Sequence, residues 1–308
     1  MTTLNLRQVK QAAEAKYQQL VAQLHEVATD GVVVDFVQKY RAIGPLDHYS
    51  FVPEEARATV QRISETNSRE ASSCFLQAAL VRGMLISIDQ GAVDALTPRV
   101  RVHQVKQFSR IVSSLPSLDK PMELNQDIYL KEMGLATLRL LAGAAQLIDI
   151  RCGVPRSLLL RQGWRGFGKS LMTFAGLKGF SPFMQIHTHD LYLDEFNEAG
   201  WNECYLCCAE ICEANPSLLG MFGSSWFYDP VIQRISPRLA YLQQVPGGGG
   251  ADFWFFAAGG HSITLATATS PSRRKLYEEG KYLPAAYMMV WGRRALVSWA
   301  GGHQGPTL

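Results

Sequence analysis

FSPFMQIHTHDLYLDEFNEAGWNECYLCCAEICEANPSLLGMFGSSWFYDP, residues 180–230, is the stretch that decides the fold class of this chain. Its pattern predicts a strand over 183–186, a helix from 197 or 198 to 215 and a second strand over 218–228. A β-α-β unit of this kind gathers polar groups at its strand ends, where open α/β sheets bind ligands. We therefore expect a functional site in this stretch.

Polar and aromatic side chains crowd the predicted strand ends. His187 and His189 would share one face of the first strand, because side chains alternate between the two faces of a strand. The expected site consists of His187, His189, Asp190, Glu195, Tyr228, Asp229, Arg234 and Tyr277. We expect His189, Glu195 and Tyr277 to be catalytic and the other residues to bind the substrate.

The composition is that of a globular protein. The chain has 308 residues, of which 47% are hydrophobic and 19% charged, enough for one large domain or two smaller ones. The formal charge is +3, and the 30 Lys and Arg form no basic block, so nucleic acid is not a predicted partner. No charged and apolar leader opens the chain, and the apolar run 135–150 is broken by Arg139 and Gln146. We therefore predict a cytoplasmic protein with no membrane partner, and its oligomeric state is not predicted.

The two halves of the chain differ in their periodicity. Apolar residues spaced by three and four predict helices in the first half over 6–27, ended by Asp30-Gly31, and over 32–42, 54–64, 70–88 and 102–115. We predict no strand before residue 145. From Gly143 onward, strands are predicted over 146–151, 157–160, 252–257, 262–266 and 286–291, and helices over 232–243, 271–279 and 293–300.

These patterns predict an α/β fold, with α+β as the alternative. An all-helical region or cap would span residues 1–143. An α/β domain that carries the site would span 144–301, with a mixed sheet flanked by helices. Residues 302–308 would form a tail.

Two readings apply to the sequence Gly163-Trp-Arg-Gly-Phe-Gly168-Lys169-Ser170. It satisfies the spacing G-x-x-x-x-G-K-[ST] of a phosphate-binding loop, which would make the protein a nucleotide-dependent enzyme using Lys169. It also resembles the pyrophosphate-binding turn of GNAT-type acyl-CoA N-acyltransferases, whose pattern is Arg or Gln, two residues, Gly, one residue, then Gly or Ala. The last position of that pattern is Ser170 here.

A later segment resembles the same family. Residues 270–282 followed by 287–291 are similar to its late helix and strand, although more than 100 residues separate Arg165 from Tyr277, whereas the family places the two motifs close together. The resemblance implies acyl-CoA as the cofactor, bound by Arg165, Gly166, Gly168, Lys169 and Ser170. It also implies that Tyr277 protonates the departing thiolate.

The leading prediction is therefore an acyltransferase-like enzyme that acts on a small-molecule substrate. It would move an acyl group from a coenzyme A thioester to an amine of a small molecule or peptide. Glu195 or His189 would deprotonate the amine, and Tyr277 would protonate the thiolate.

Two alternatives of other classes stay open. In a metal-dependent hydrolase, His187 and His189 would share a metal with a carboxylate such as Asp190, Asp194 or Glu195. In a noncatalytic ligand-binding or assembly protein, the helical half would contact partners. Four cysteines at i, i+3, i+4 and i+8, from Cys204 to Cys212, favour core packing over metal ligation, because one straight helix does not wrap a tetrahedral ion. No metal ligand is assigned.

Overall fold

A computed structural model describes residues 5–24, 27–42, 44, 48–115, 121–189 and 193–303. The chain divides into two compact units. The helical unit comprises Met1–Ile150 and Thr188–Leu193, and the sheet unit comprises Arg151–His187 and Asp194–Leu308. The boundary lies a few residues after the predicted one, and a short segment after β3 returns to the helical unit.

The helical unit contains six helices and a hairpin among its described residues. They are α1 (Leu6–Gln23), α2 (Asp30–Arg41), α3 (Glu54–Thr66), α4 (Arg69–Asp89), α5 (Pro98–Ser114), α6 (Asp127–Ala136), β1 (Leu140–Gly143) and β2 (Gln146–Cys152), whose last two residues belong to the sheet unit. The predicted helices of this half are confirmed. Asp30-Gly31, however, opens α2 and does not close α1, since a carboxylate is favoured at a helix N-terminus.

Helix α4 is the centre of the helical unit and contacts α1, α2, α3 and α6. It is buried nearly all round; Phe75, Leu80 and Met84 are fully enclosed. Among the described residues, it is the one helix long and apolar enough to cross a membrane, and most of that window is buried. A helix that is apolar on every side serves equally as the core helix of a water-soluble unit.

The strand β1 corrects the prediction that no strand precedes residue 145. It pairs antiparallel with β2, with Leu141 opposite Ile148. Leu138 and Ala144 adopt positive φ angles of 57° and 53°, after α6 and at the hairpin turn. Residues other than Gly and Asn rarely occupy this region, so the sequence has no turn signal at either point.

The sheet unit alternates strands and helices. In chain order these are α7 (Ser157–Leu160), α8 (Gly163–Gly176), β3 (Phe183–His187), α9 (Glu198–Ala214), β4 (Gly220–Ser225), α10 (Ile232–Ile235), α11 (Tyr241–Gly248), β5 (Asp252–Ala258), α12 (His261–Thr267), α13 (Pro271–Glu278), β6 (Ala285–Gly292) and α14 (Arg293–Gly302). Short 3₁₀ helices lie at Trp226–Tyr228 and Pro237–Leu239.

The strands of the sheet unit follow the order β3-β4-β6-β5. β3 and β4 are parallel, whereas β6 is antiparallel to both β4 and β5. Helix α9 packs against α14. The predicted α/β class, a mixed sheet flanked by helices after a helical first half, is confirmed.

Several predicted elements of the sheet unit have a different structure. The strands expected over 157–160 and 262–266 are the helices α7 and α12, because short apolar runs fit the period of either element. The strand expected over 218–228 ends at Ser225, and a 3₁₀ turn follows. The helix expected over 232–243 is divided between α10, a 3₁₀ turn and the start of α11.

The pairing of β4 with β6 requires glycine at its first position. Gly220 lies opposite Gly292 and has a φ of 150°. A Cβ atom at Gly220 would lie 2.2 Å from the main-chain oxygen of Trp291. A side chain here would therefore separate the two central strands.

We predict opposite effects of alanine at two glycines. Gly220→Ala should lower the free energy of unfolding by about 2–4 kcal/mol, through backbone strain and the contact with Trp291. Gly168→Ala should raise it by up to about 1 kcal/mol, because alanine favours helices and a methyl group there would meet no atom within 4 Å. Urea unfolding measures both. Destabilisation by Gly168→Ala would contradict the helical structure of α8.

Candidate functional site

Asp229 lies just beyond β4, at the carboxyl end of a central strand, and only 4% of it is exposed. Its Oδ1 accepts a hydrogen bond from the Val231 N–H at 3.0 Å, and the Ala285 N–H provides a second main-chain contact. Burial raises the pKa of Asp229, and the two N–H groups offset only part of this effect. Asp229 is therefore a buried carboxyl group that binds its proton more tightly than usual.

Two phenols lie near this carboxyl group. Burial, followed by the negative charge of Asp229, raises the pKa of Tyr282 and that of Tyr287. The Tyr282 hydroxyl is buried and has no hydrogen-bond partner among the described residues. Tyr287 is only half-buried, so it brings the group to the protein surface. Both phenols stay protonated at neutral pH.

Arg273 adds a buried positive charge beside Tyr282. Its Nε donates to the Ala266 carbonyl at 2.6 Å and its Nη1 to Ser236 Oγ at 3.2 Å. The guanidinium carbon lies 4.4 Å from the centroid of the Trp226 ring. Within the described part of the chain, no carboxylate forms an ion pair with Arg273. We call Asp229, Arg273, Tyr282 and Tyr287 the Asp229 cluster.

The chemistry of the Asp229 cluster suits proton transfer. A carboxyl group with a raised pKa is a stronger base once it is ionised, and a protonated phenol is a proton donor. A buried guanidinium that lacks a carboxylate partner suits an anionic group of a ligand. Perturbed groups of this kind concentrate at functional sites.

The other predicted site residues of the sheet unit are dispersed. Tyr228 precedes Asp229 in the chain but packs among aromatic side chains, with its ring 4.7 Å from that of Phe227 and 5.7 Å from that of Phe253. Tyr277 lies on α13 one turn after Arg273 and is 36% exposed. Arg234 is exposed on α10, and Glu195 is half-buried before α9. The structure thus gathers Asp229 with Arg273, Tyr282 and Tyr287, none of which is among the predicted site residues.

The predicted coenzyme turn is wrong, and so is the phosphate-binding loop. Arg165, Gly166, Gly168, Lys169 and Ser170 all lie inside α8, which follows another helix and not a strand. Gly168, Lys169 and Ser170 lie beyond the first turn of α8, where each N–H group bonds the carbonyl four residues earlier and does not cradle a phosphate. Ser170 is buried and donates to the Phe167 carbonyl at 2.9 Å, so its hydroxyl is not placed for magnesium.

His189 belongs to a buried polar cluster of the helical unit. Its Nε2 donates to Oε1 of Glu132 at 2.9 Å. Arg110 donates through Nη2 to both oxygens of Glu132, at 2.7 and 2.9 Å, and through Nε to Gln107 Oε1 at 2.6 Å. We call these four residues the Glu132 cluster.

Glu132 is ionised although it is 3% exposed. Burial alone would raise its pKa, but the hydrogen bond from His189 and the charge of Arg110 outweigh burial, and the pKa is lowered. Two donors thus share one carboxylate. The predicted role of His189 as a free general base does not match this geometry, because its Nε2 already donates to the Glu132 carboxylate.

The paired histidines expected to share one strand face are divided between the units. His187 ends β3 in the sheet unit, whereas His189 belongs to the helical unit. Within the described ranges, neither lies in a group of three side chains that could hold a metal ion. Asp190, the nearest predicted carboxylate, lies outside the described residues.

All six cysteines are free of disulfides. The four on α9 are buried, as predicted for core packing. Burial raises the pKa of Cys208 well above its usual value and that of Cys212 to about 12. The burial of the four cysteines on α9 is that expected of core residues.

We predict that Glu132→Gln lowers the free energy of unfolding by about 3–5 kcal/mol at neutral pH, because it leaves Arg110 without its counter-charge. Because the pKa of Glu132 is lowered in the folded state, its ionisation also adds to the free energy of unfolding. This addition is complete above about pH 4.3, the usual pKa of Glu. This contribution is lost as the pH falls through the lower pKa of the folded state. The variant should lack it.

Urea unfolding over a pH series measures both effects. Glu123→Gln is the matched control, because Glu123 pairs with Arg69 at the surface of the same unit and such pairs contribute at most about 1 kcal/mol. Equal losses in the two variants would show that the Glu132 cluster stabilises no more than a surface pair.

In comparisons with known proteins, the chain matches no protein-family model, no curated protein and no solved structure.

Proposed function

We propose that the protein is an enzyme acting on a small molecule, with the Asp229 cluster as its acid–base centre and acyl transfer to an amine as its reaction. The observation that carries the proposal is a buried carboxyl group of raised pKa beside protonated phenols at the carboxyl end of β4. Ligands of open α/β sheets bind at such strand ends.

Three residues of the Asp229 cluster have a role in the proposed reaction. The ionised Asp229 accepts a proton from the amine as its nitrogen attacks the thioester carbonyl. The carbon–sulfur bond then breaks, and Tyr287 gives its proton to the departing thiolate. Arg273 offers its positive charge to an anionic part of the substrate. The charge of Asp229 raises the pKa of both Tyr282 and Tyr287. Tyr287 is the proposed acid because it is the more exposed of these two phenols.

Support for a thioester donor comes from the resemblance of residues 270–291 to the late helix and strand of acyl-CoA N-acyltransferases. These residues form α13 and β6. That resemblance assigns the acid to Tyr277, which lies on α13. Comparison of Tyr287→Phe with Tyr277→Phe therefore separates the two assignments.

We predict that Asp229→Asn lowers kcat for amine acylation by about 10²- to 10⁴-fold, the usual contribution of a general base. The assay follows thiol release from acetyl-CoA and longer acyl-CoAs with a panel of amines. Asp252→Asn is the matched control, because Asp252 lies in the same unit and its side chain is 36% exposed.

A thermal unfolding curve close to that of the wild type would show that Asp229→Asn is folded. Absence of thiol release from the wild type, together with no shift of its unfolding temperature by any acyl-CoA, would overturn the acyl-transfer proposal. Full activity of Asp229→Asn would remove Asp229 from the mechanism.

We also predict a pH dependence of kcat/KM that reports Asp229. The base must be ionised, so activity should rise with pH through the pKa of Asp229, above the usual value of about 3.9 for Asp. This rise should occur at a higher pH than for an ordinary Asp, because burial raises the pKa of Asp229. Tyr277→Phe should keep this acid limb, and an acid limb at the usual Asp pKa would contradict the assignment.

A further inference from the structure

Helices α7 and α8 expose a row of large apolar side chains on the sheet unit. The exposed fractions are 78% for Leu160, 99% for Trp164, 37% for Phe167, 46% for Leu171 and 77% for Met172. We call these five residues the α8 stripe. Single exposed apolar residues are ordinary, but a contiguous set marks an interaction surface.

Most of the stripe lies on α8, a helix that packs against the rest of the sheet unit along one edge of the stripe. Trp164, Phe167 and Leu171 follow the spacing i, i+3 and i+7, which places them on one side of α8. Ser170 and Phe174, at neighbouring positions around the helix, are buried along one edge of the stripe, and the Phe174 ring stacks on Phe180 at 4.3 Å. Leu160, Trp164 and Met172 therefore stay largely exposed although α8 is anchored in the sheet unit.

The chain around the stripe is strongly basic. Between Asp149 and Asp190 the sequence has six cations and no carboxylate; the cations are Arg151, Arg156, Arg161, Arg165, Lys169 and Lys178. Lys169 meets Asp252 at 3.5 Å but is 71% exposed. Arg156 and Lys178 are exposed, and no described carboxylate forms an ion pair with them. The segment that contains the stripe therefore has a net positive charge.

We propose that the α8 stripe docks the protein on the surface of an anionic lipid bilayer. A basic helix with one apolar face lies in the interface, with its apolar side chains at the boundary between headgroups and acyl chains. Tryptophan prefers this level of a membrane. Cations beside the stripe attract anionic headgroups. Docking of this kind is peripheral and does not depend on a membrane-spanning helix.

Charge and shape favour a bilayer over other occupants. A second copy of this chain would bring two positive surfaces together, which is unfavourable. A protein partner would have to enclose Trp164, which projects from a convex helix face and is 99% exposed. A bilayer takes up such a side chain without a preformed groove. The 14 residues of α8 extend about 21 Å, enough for several side chains to reach the interface together.

Vesicle flotation with the full chain tests the proposal. The probes are vesicles of phosphatidylcholine alone and of phosphatidylcholine mixed with phosphatidylglycerol. We expect at least about tenfold stronger partitioning onto the mixed vesicles, and weaker binding as salt screens the charges. Partitioning that is equal on the two kinds of vesicle, or not detectable on either, would overturn the proposal.

Single substitutions locate the surface. Trp164→Ala and Arg156→Glu should each lower partitioning onto the mixed vesicles at least about fivefold. Both side chains are exposed, so the variants should keep their unfolding temperature. Leu283→Ser is the matched apolar control, at 60% exposure in the same unit, and Lys275→Glu, with a side chain 77% exposed, is the charge control.

Two outcomes would contradict docking by this surface. Losses as large in Leu283→Ser and Lys275→Glu as in the stripe variants would show nonspecific adsorption. A wild-type dimer that Trp164→Ala converts to a monomer, measured by sedimentation velocity without lipid, would assign the stripe to self-association.

Discussion

The close approach of β4 and β6 is the constraint on which the sheet unit depends. Gly220 lies opposite Gly292 at one end of this antiparallel pair, and Ser225 lies opposite Tyr287 at the other. With no side chain between Gly220 and the Trp291 carbonyl, the register brings the end of β4 beside the start of β6. Asp229 can then receive N–H groups from Val231 and Ala285 together. A backbone requirement at one end of the strands thus fixes a carboxyl group at the other.

Sequence periodicity predicted the helical unit well because its helices bury a stripe of apolar residues. Prediction from the sequence failed where residues that are typical of one kind of local structure occur in another. Leu138 and Ala144 turn the chain at positive φ without glycine, so β1 was not predicted. In α8 the reverse occurs, since four glycines in 14 residues suggest a loop, yet the buried Ser170 and Phe174 fix one face of a helix.

The candidate sites were predictable only in part. Asp229 was identified because it ends an aromatic run beside a proline, but its partners come from α13 and β6. Nothing in the local sequence separates Arg273 or Glu132 from ordinary surface charges, since burial is a property of the tertiary fold. His189 and Glu132 are 57 positions apart. This contact could be predicted only with the knowledge that residues 188–193 belong to the helical unit.

The burial and protonation of the cysteines restrict the mechanism by which the protein could transfer an acyl group. Burial raises the pKa of the half-buried Cys74 as well as those of Cys208 and Cys212, and the other three thiols are enclosed. The chain therefore offers no accessible thiolate at neutral pH to hold an acyl group between donor and acceptor. Transfer would proceed without a cysteine-bound acyl-enzyme. Ping-pong kinetics through a cysteine would therefore not arise.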